Sequence, residues 1–437
     1  MSRHASNRNV SRAMARVLAC ALLAAALPAT AQSLLIRGAT VHTAGAQGTL
    51  QNTDVLVQGG RIAAIGTGLA AGDAQVVEAN GRPLTPTLFG GVTGLGIEEV
   101  SGESATRDDR LSLGEASDMA VRPEFDVSLA FNPESMVIPV ARVEGIGFTL
   151  ISAGSASSII GGQGAPMRLD GSLDPAGPKV LYLSLGSSAA GQSGTSRAAQ
   201  WMLLDQLVDE ARGRLPADAQ GAALTPAGKR ALAGYLDGRG TIVVGVHRAS
   251  DIRQLLRWSR RHGLTVAIRG GAEAWKVAGE LAAARVPVFV DPLANLPADF
   301  DQLGATMQNA ARLHAAGVRV GFAQASDASH NARKLRQLAG NAVAQGLPWE
   351  AGLAGLTRVP ADVLGLGASI GTIAVGRTAD LVLWSGDPLD VAHTAEQVWF
   401  DGRAIPMRSR QTELRDRYLQ PVTPARDGGL PRAYRTR

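Results

Sequence analysis

The run Thr241-Ile242-Val243-Val244-Gly245-Val246-His247 reads as a buried strand, and it opens a repeating pattern. In 251–262, Ile252, Leu255 and Leu256 share one helical face, and Gly263 stands where a helix takes its left-handed closing residue. Strand 264–268 then leads to helix 272–284. Strand 286–290 leads to helix 300–316, closed by Gly317. Strand 318–322 leads to helix 331–344. Four consecutive strand–helix units predict a parallel sheet with right-handed crossovers.

Working outward, Leu84–Phe89, Phe148–Ser152 and Val180–Leu183 add three strands, and an eighth is expected between 160 and 240. The expected fold is α/β, a TIM-like (βα)8 barrel over residues 85–366, close to the ~250 residues typical of such barrels. An open doubly wound sheet is the runner-up. It lacks a phosphate-binding fingerprint, because Gly161-Gly162-Gln163-Gly164 follows no clear strand and reads as a loop.

Both ends are β-rich. Strands are expected at 33–41, 54–58, 61–66, 74–79 and 82–84, with hairpins at Gly59-Gly60 and Asn80-Gly81. Near the other end, 371–377, 379–384, 398–400 and 403–405 read as strands, with a hairpin at Asp401-Gly402. Residues 32–84 and 367–406 together predict one small β-sandwich formed by both chain ends.

Residues 1–31 read as a secretory signal peptide. Arg3, Arg8, Arg12 and Arg16 precede the apolar run 17–27, and Ala29-Thr30-Ala31 is a cleavage site. The expected address is the periplasm. Val17-Leu18-Ala19-Cys20 only loosely resembles a lipoprotein box, and no later stretch is long and apolar enough to span a membrane. Cys20 is the sole cysteine, which excludes disulfides, thiol nucleophiles and cysteine-ligated zinc from the mature chain. The formal charge of +5 shrinks to +1 without the leader, and it divides into −5 over 32–402 and +6 from Arg403 onward. That pattern gives no nucleic-acid footprint. Residues 407–437 are expected to form a basic, flexible tail.

At the barrel entry, Thr85-Pro86-Thr87-Leu88-Phe89 resembles the amidohydrolase superfamily, within it the imidazolonepropionase-like and periplasmic group. Gly371-Thr372-Ile373-Ala374-Val375-Gly376-Arg377-Thr378-Ala379-Asp380-Leu381-Val382 resembles that family's return to the sandwich, and Ser326–Arg333 the segment after its eighth strand. The resemblance spans nearly the whole mature chain. It implies hydrolysis of C–N bonds by one or two divalent metals, held by histidines and a carboxylate at strand C-terminal ends.

The family's histidine pair after the first strand reads Val92 and Gly94 here, and its sixth-strand histidine falls at Gly270. Of seven histidines, only His247 and His330 follow barrel strands, and none of the four lysines sits at a fourth strand end. The resemblance leaves His247 and Asp327 as candidate catalytic residues. His330, Arg269 and Glu273 are candidates for substrate binding. No metal ligand set and no cofactor is expected, beyond a single divalent zinc on His247 and Asp327. Glu98, Glu99 and Glu103 form a weaker carboxylate group, expected to be a solvated loop, and Arg107-Asp108-Asp109-Arg110 a self-paired surface cluster.

Two functions compete. One is a periplasmic hydrolase of non-peptide or dipeptide-like C–N bonds with a reduced metal site. The other is a pseudoenzyme, a non-catalytic barrel that binds a small molecule or pairs, as a homo- or hetero-oligomer, with an active amidohydrolase.

Overall fold

A computed structural model describes residues 33–111, 121–154, 158–215, 221–325 and 328–419. Their strands divide between a terminal sheet and a barrel. The terminal sheet is mixed and built from both chain ends. It contains β1 (Leu34–His42), β2 (Thr49–Gln58), β3 (Arg61–Gly66), β4 (Gln75–Glu78) and β5 (Pro83–Pro86) from the start of the chain. The barrel strands come next in sequence. They are β6 (Leu88–Thr93), β7 (Ile146–Ile151), β8 (Ile160–Gly164), β9 (Pro166–Arg168), β10 (Val180–Ser184), β11 (Ile242–Val246), β12 (Val266–Gly270), β13 (Val288–Val290) and β14 (Val320–Phe322). The terminal sheet is completed by β15 (Leu381–Trp384), β16 (Ala395–Phe400) and β17 (Arg403–Ala404).

In the terminal sheet the spatial order is β17-β16-β15-β5-β1-β2-β3, with β4 also on β1. Its alternating apolar residues, including Ile36, Val55, Leu84, Leu381 and Trp399, enclose a core separate from that of the barrel. The hairpins at Gly59-Gly60 and Asp401-Gly402 form as expected. The one at Asn80-Gly81 does not. β4 and β5 both lie parallel to β1 rather than against each other. Residues 371–377 form no strand; Ile373 is buried in the sheet's core and Arg377 donates to Gly367 O.

The barrel ladders β10–β11–β12–β13–β14 are parallel, as is β6–β7. The missing eighth strand is 160–168, and it runs antiparallel: β9 pairs with β7, and β8 pairs with β10. The glycine run expected as a loop is therefore strand β8. Its composition is dictated by close approach. A Cβ on Gly164 would lie 2.0 Å from Ile151 O, and one on Gly162 2.6 Å from Phe125 O at a φ of 122°. Among the described residues no ladder joins β14 to β6. The helix Trp349–Leu356 packs on both of these strands, and the ring of Phe89 in β6 lies 5.9 Å, centre to centre, from that of Phe289 in β13.

The expected helix 300–316 shortens to Asn309–Ala315, and 291–308 forms a loop with no helix or strand. The reason is Asp301, whose carboxylate accepts from Ser187 N and Oγ at 2.7 and 2.8 Å and pairs with Arg197. The basic tail opens as a helix, Arg410–Leu419, where flexibility was expected.

Arg168 fastens the sheet to the barrel. Its Nε and Nη2 donate to Asp380 at 3.0 and 2.8 Å, Nη2 to Asp401 at 3.0 Å, and Nη1 pairs with Asp170 at 2.7 Å. Burial alone would lower the arginine's pKa, but the three carboxylates outweigh it and raise it. Burial pushes Asp380 up while Arg168 pulls it down. With the guanidinium held so firmly charged, we take the pair as ionised.

Candidate active site

A cavity of about 450 Å³ opens at the C-terminal ends of the barrel strands. Val92 and Gly94 from the end of β6 line it, together with Tyr182, Arg269, Ser329 and Glu98. The positions of the missing histidine pair therefore face this cavity.

Both glycine positions are closed. Gly94 N–H donates to Ser329 Oγ at 3.0 Å, and that hydroxyl donates to Glu98 Oε2 at 3.2 Å. A Cβ on Gly94 would lie 3.0 Å from each of those two oxygens. Gly270, at the end of β12, has a φ of 94°, and a Cβ there would lie 2.6 Å from His247 Cε1. The imidazole of the fifth-strand residue thus covers the place of the sixth-strand one.

His247 itself is not among the cavity's lining residues. Its Nδ1 is buried and has no hydrogen-bond partner among the described residues. Burial lowers its pKa and Arg269 adds to that, against the opposing pull of Asp299 and Asp301. Neutral imidazole is the favoured form.

Arg269 does line the cavity, as the sequence suggested. Its side chain is partly buried, and Nη2 donates to Gln324 O at 3.1 Å. No carboxylate among the described residues pairs with it. Burial accordingly lowers its pKa, opposed only at a distance by Tyr182 and Asp291.

Two other expected binding residues lie elsewhere. Glu273 is buried away from the cavity, where it accepts from Lys276 Nζ at 2.6 Å, Gly304 N at 2.9 Å and Ala249 N at 3.1 Å. Burial pushes its carboxyl up, but Lys276 and the two N–H groups outweigh that and hold it below the ordinary value. It is a clasp between loops, not a substrate ligand. His330 falls in the short helix Ala328–Asn331, and it is its neighbour Ser329 that lines the cavity. Asp327 lies outside the described residues, although Ala325 and Ser329 on either side of it both reach the cavity.

Sequence reasoning undervalued two features. Glu98, expected in a solvated loop, is buried at 8% exposure and faces the cavity. The signal was its place five residues past β6, at a strand's C-terminal end. The charge cluster at 107–110 pairs with itself as expected, Arg107 and Arg110 each reaching Asp109, but it lines the cavity mouth rather than open surface.

Residues 244–406 match the model of the amidohydrolase family. The solved structure of an amidohydrolase from Thermotoga maritima MSB8 is 26% identical, covers 86% of this chain and all of its own, and superposes with a TM-score of 0.74. The chain is similar to the amidohydrolases in fold and, over 244–406, in sequence. Shorter likenesses agree. Amidohydrolase tasK of Hapsidospora irregularis is 51% identical over 59 residues, 14% of this chain. The imidazolonepropionase of Acidiphilium cryptum (strain JF-5) is 51% identical over 45 residues, 10% of this chain. Those matches span only 6% and 11% of the two relatives' own lengths.

The donors an orthodox amidohydrolase centre needs do not fit this mouth. Val92, Gly94 and Gly270 offer none, and neighbouring side chains fill the space beside both glycines. Among the described residues no three His, Cys, Asp or Glu side chains are grouped to hold a metal ion.

Proposed function

We propose that this amidohydrolase relative binds a small organic molecule with an amide-like C–N bond at its barrel mouth, without the paired metal centre of its family. The carrying observation is the closure of Gly94 by Glu98 and Ser329 and of Gly270 by His247. Restoring a histidine at either position would require the neighbouring side chains to move. The cavity's volume and its mixture of apolar, hydroxyl and charged lining suit a small-molecule ligand. The C–N class rests on the named relatives. A fully closed (βα)8 barrel is part of this reading and rests on the same likeness. Export to the periplasm rests on the tripartite pattern of residues 1–31. Cell fractionation, and a mature N-terminus at Gln32, test that export.

One observation favours a second reading, hydrolysis with a single divalent ion on His247 and Asp327. A ligating imidazole must be neutral with a free nitrogen, and His247 has a buried Nδ1 with no partner among the described residues. Elemental analysis of the purified protein, with amidase, dipeptidase and lactonase assays after zinc or manganese addition, separates the two. Metal-free, inactive protein is expected. Stoichiometric metal, with turnover lost in His247→Ala and Asp327→Ala, would overturn the first reading in favour of the second.

A further inference from the structure

We infer that Arg269 and Glu98 form a two-point receptor for a zwitterion, the guanidinium taking the ligand's carboxylate and Glu98 its ammonium group. This rests on the mouth being a binding site, and it names what binds there.

Arg269 is the positive pole. A guanidinium has five N–H donors. Partly buried as this one is, its one hydrogen-bond acceptor among the described residues is the carbonyl oxygen of Gln324. Among the described residues, the two groups that act on it electrostatically and could neutralise it are engaged otherwise. The Tyr182 phenol donates to Ile151 O at 3.0 Å, and burial pushes its pKa well up, so it stays uncharged. Asp291 spends one oxygen on Leu293 N and the other on Ala325 N, both at 3.0 Å. A partly buried guanidinium with spare N–H donors is free to take an anion, and a carboxylate is the shape that the planar fork accepts with two parallel bonds.

Glu98 is the opposite pole. Its Oε2 accepts from Ser329 Oγ, while Oε1 has no partner among the described residues. The two charges line one cavity without an ion pair between them. Opposite charges held apart by their own elements, rather than neutralised by contact, complement a molecule carrying both signs. An α-amino acid or a dipeptide is the simplest such class and fits about 450 Å³. Arg107 and Arg110 also reach the mouth, but both are paired with Asp109, which leaves Arg269 on β12 as the cation offered to a ligand.

The test uses the purified full-length protein, with its metal content measured on the same sample. A panel of L-amino acids and dipeptides is screened by thermal shift, and the best binder is titrated by calorimetry beside its C-terminal amide and N-acetyl forms. The zwitterion is expected to bind, and the amide to lose on the order of a hundredfold in affinity. Arg269→Gln should lose as much, and should no longer distinguish acid from amide. Glu98→Gln should no longer distinguish free from acetylated amine. If Arg269→Gln fails to fold, the two ligand analogues and Glu98→Gln decide. The inference is overturned if no panel member binds metal-free wild-type protein, or if the amide and N-acetyl forms bind as tightly as the zwitterion. Metal with turnover would instead overturn the functional reading, and the binding ratios would still judge this one.

Discussion

Arg168 and Arg269 are both arginines near the end of a barrel-region strand, and they are treated oppositely. Arg168, at the seam, has carboxylates on three sides, and its pKa is raised. Arg269, at the mouth, donates to one carbonyl among the described residues, and burial lowers its pKa. The first is a charge consumed by the fold. The second is a charge the fold keeps available. Buried charge here separates what holds the molecule together from what faces a ligand.

The largest effect expected from breaking this contrast is at the seam. Asp380→Ala removes the bidentate partner of Arg168 and should cost about 3 kcal/mol, read from urea denaturation. Next is Gly270→Ala, whose backbone at φ 94° and contact with His247 should together cost about 2 kcal/mol. The double variant with His247→Ala should recover the contact part and leave the backbone part. Arg269→Met should change ligand-free stability by less than about 1 kcal/mol, in either direction, because the partly buried wild-type charge has no salt bridge among the described residues to lose. A loss as large as that of Asp380→Ala would end the comparison.

The smallest effect is a pH dependence. His247 has a folded pKa below its ordinary 6.5, so the unfolded chain binds the proton more readily. Its contribution to stability is complete above 6.5. It is lost progressively as pH falls below 6.5 toward the depressed folded value. His247→Gln should flatten the stability profile in that window and leave the rest unchanged.

The barrel's regular half was legible because each strand–helix unit there carries its own period. Ile252, Leu255 and Leu256 mark a helix face, and Gly263 does close that helix, at φ 70°. Strand β8 was not legible, since its glycines answer to Ile151 and Phe125, which no local pattern connects to them. The helix expected at 300–316 was lost for a similar reason: Asp301 bonds to Ser187 and Arg197, and no local propensity reports that. At the site, the vacancy at Val92, Gly94 and Gly270 could be read directly. What fills it could not, because Glu98, Ser329 and His247 meet those positions only through the folded chain. Glu273 shows the converse, as its carboxylate, close to Arg269 in sequence, turns to Lys276 instead of the cavity.

The terminal sheet has a consequence for assembly. Thr85 Oγ1 accepts from Trp384 Nε1 at 2.8 Å across 299 residues, and β5 finds its second neighbour only in β15. Until that distant strand is synthesised, β5 has an open hydrogen-bonding edge. Loop closure on this scale is slow, so the sheet should be among the last parts to form. A product truncated before Leu381 would retain every barrel strand and still expose a sticky edge. The last strands of the chain therefore complete the pairing of one of its earliest.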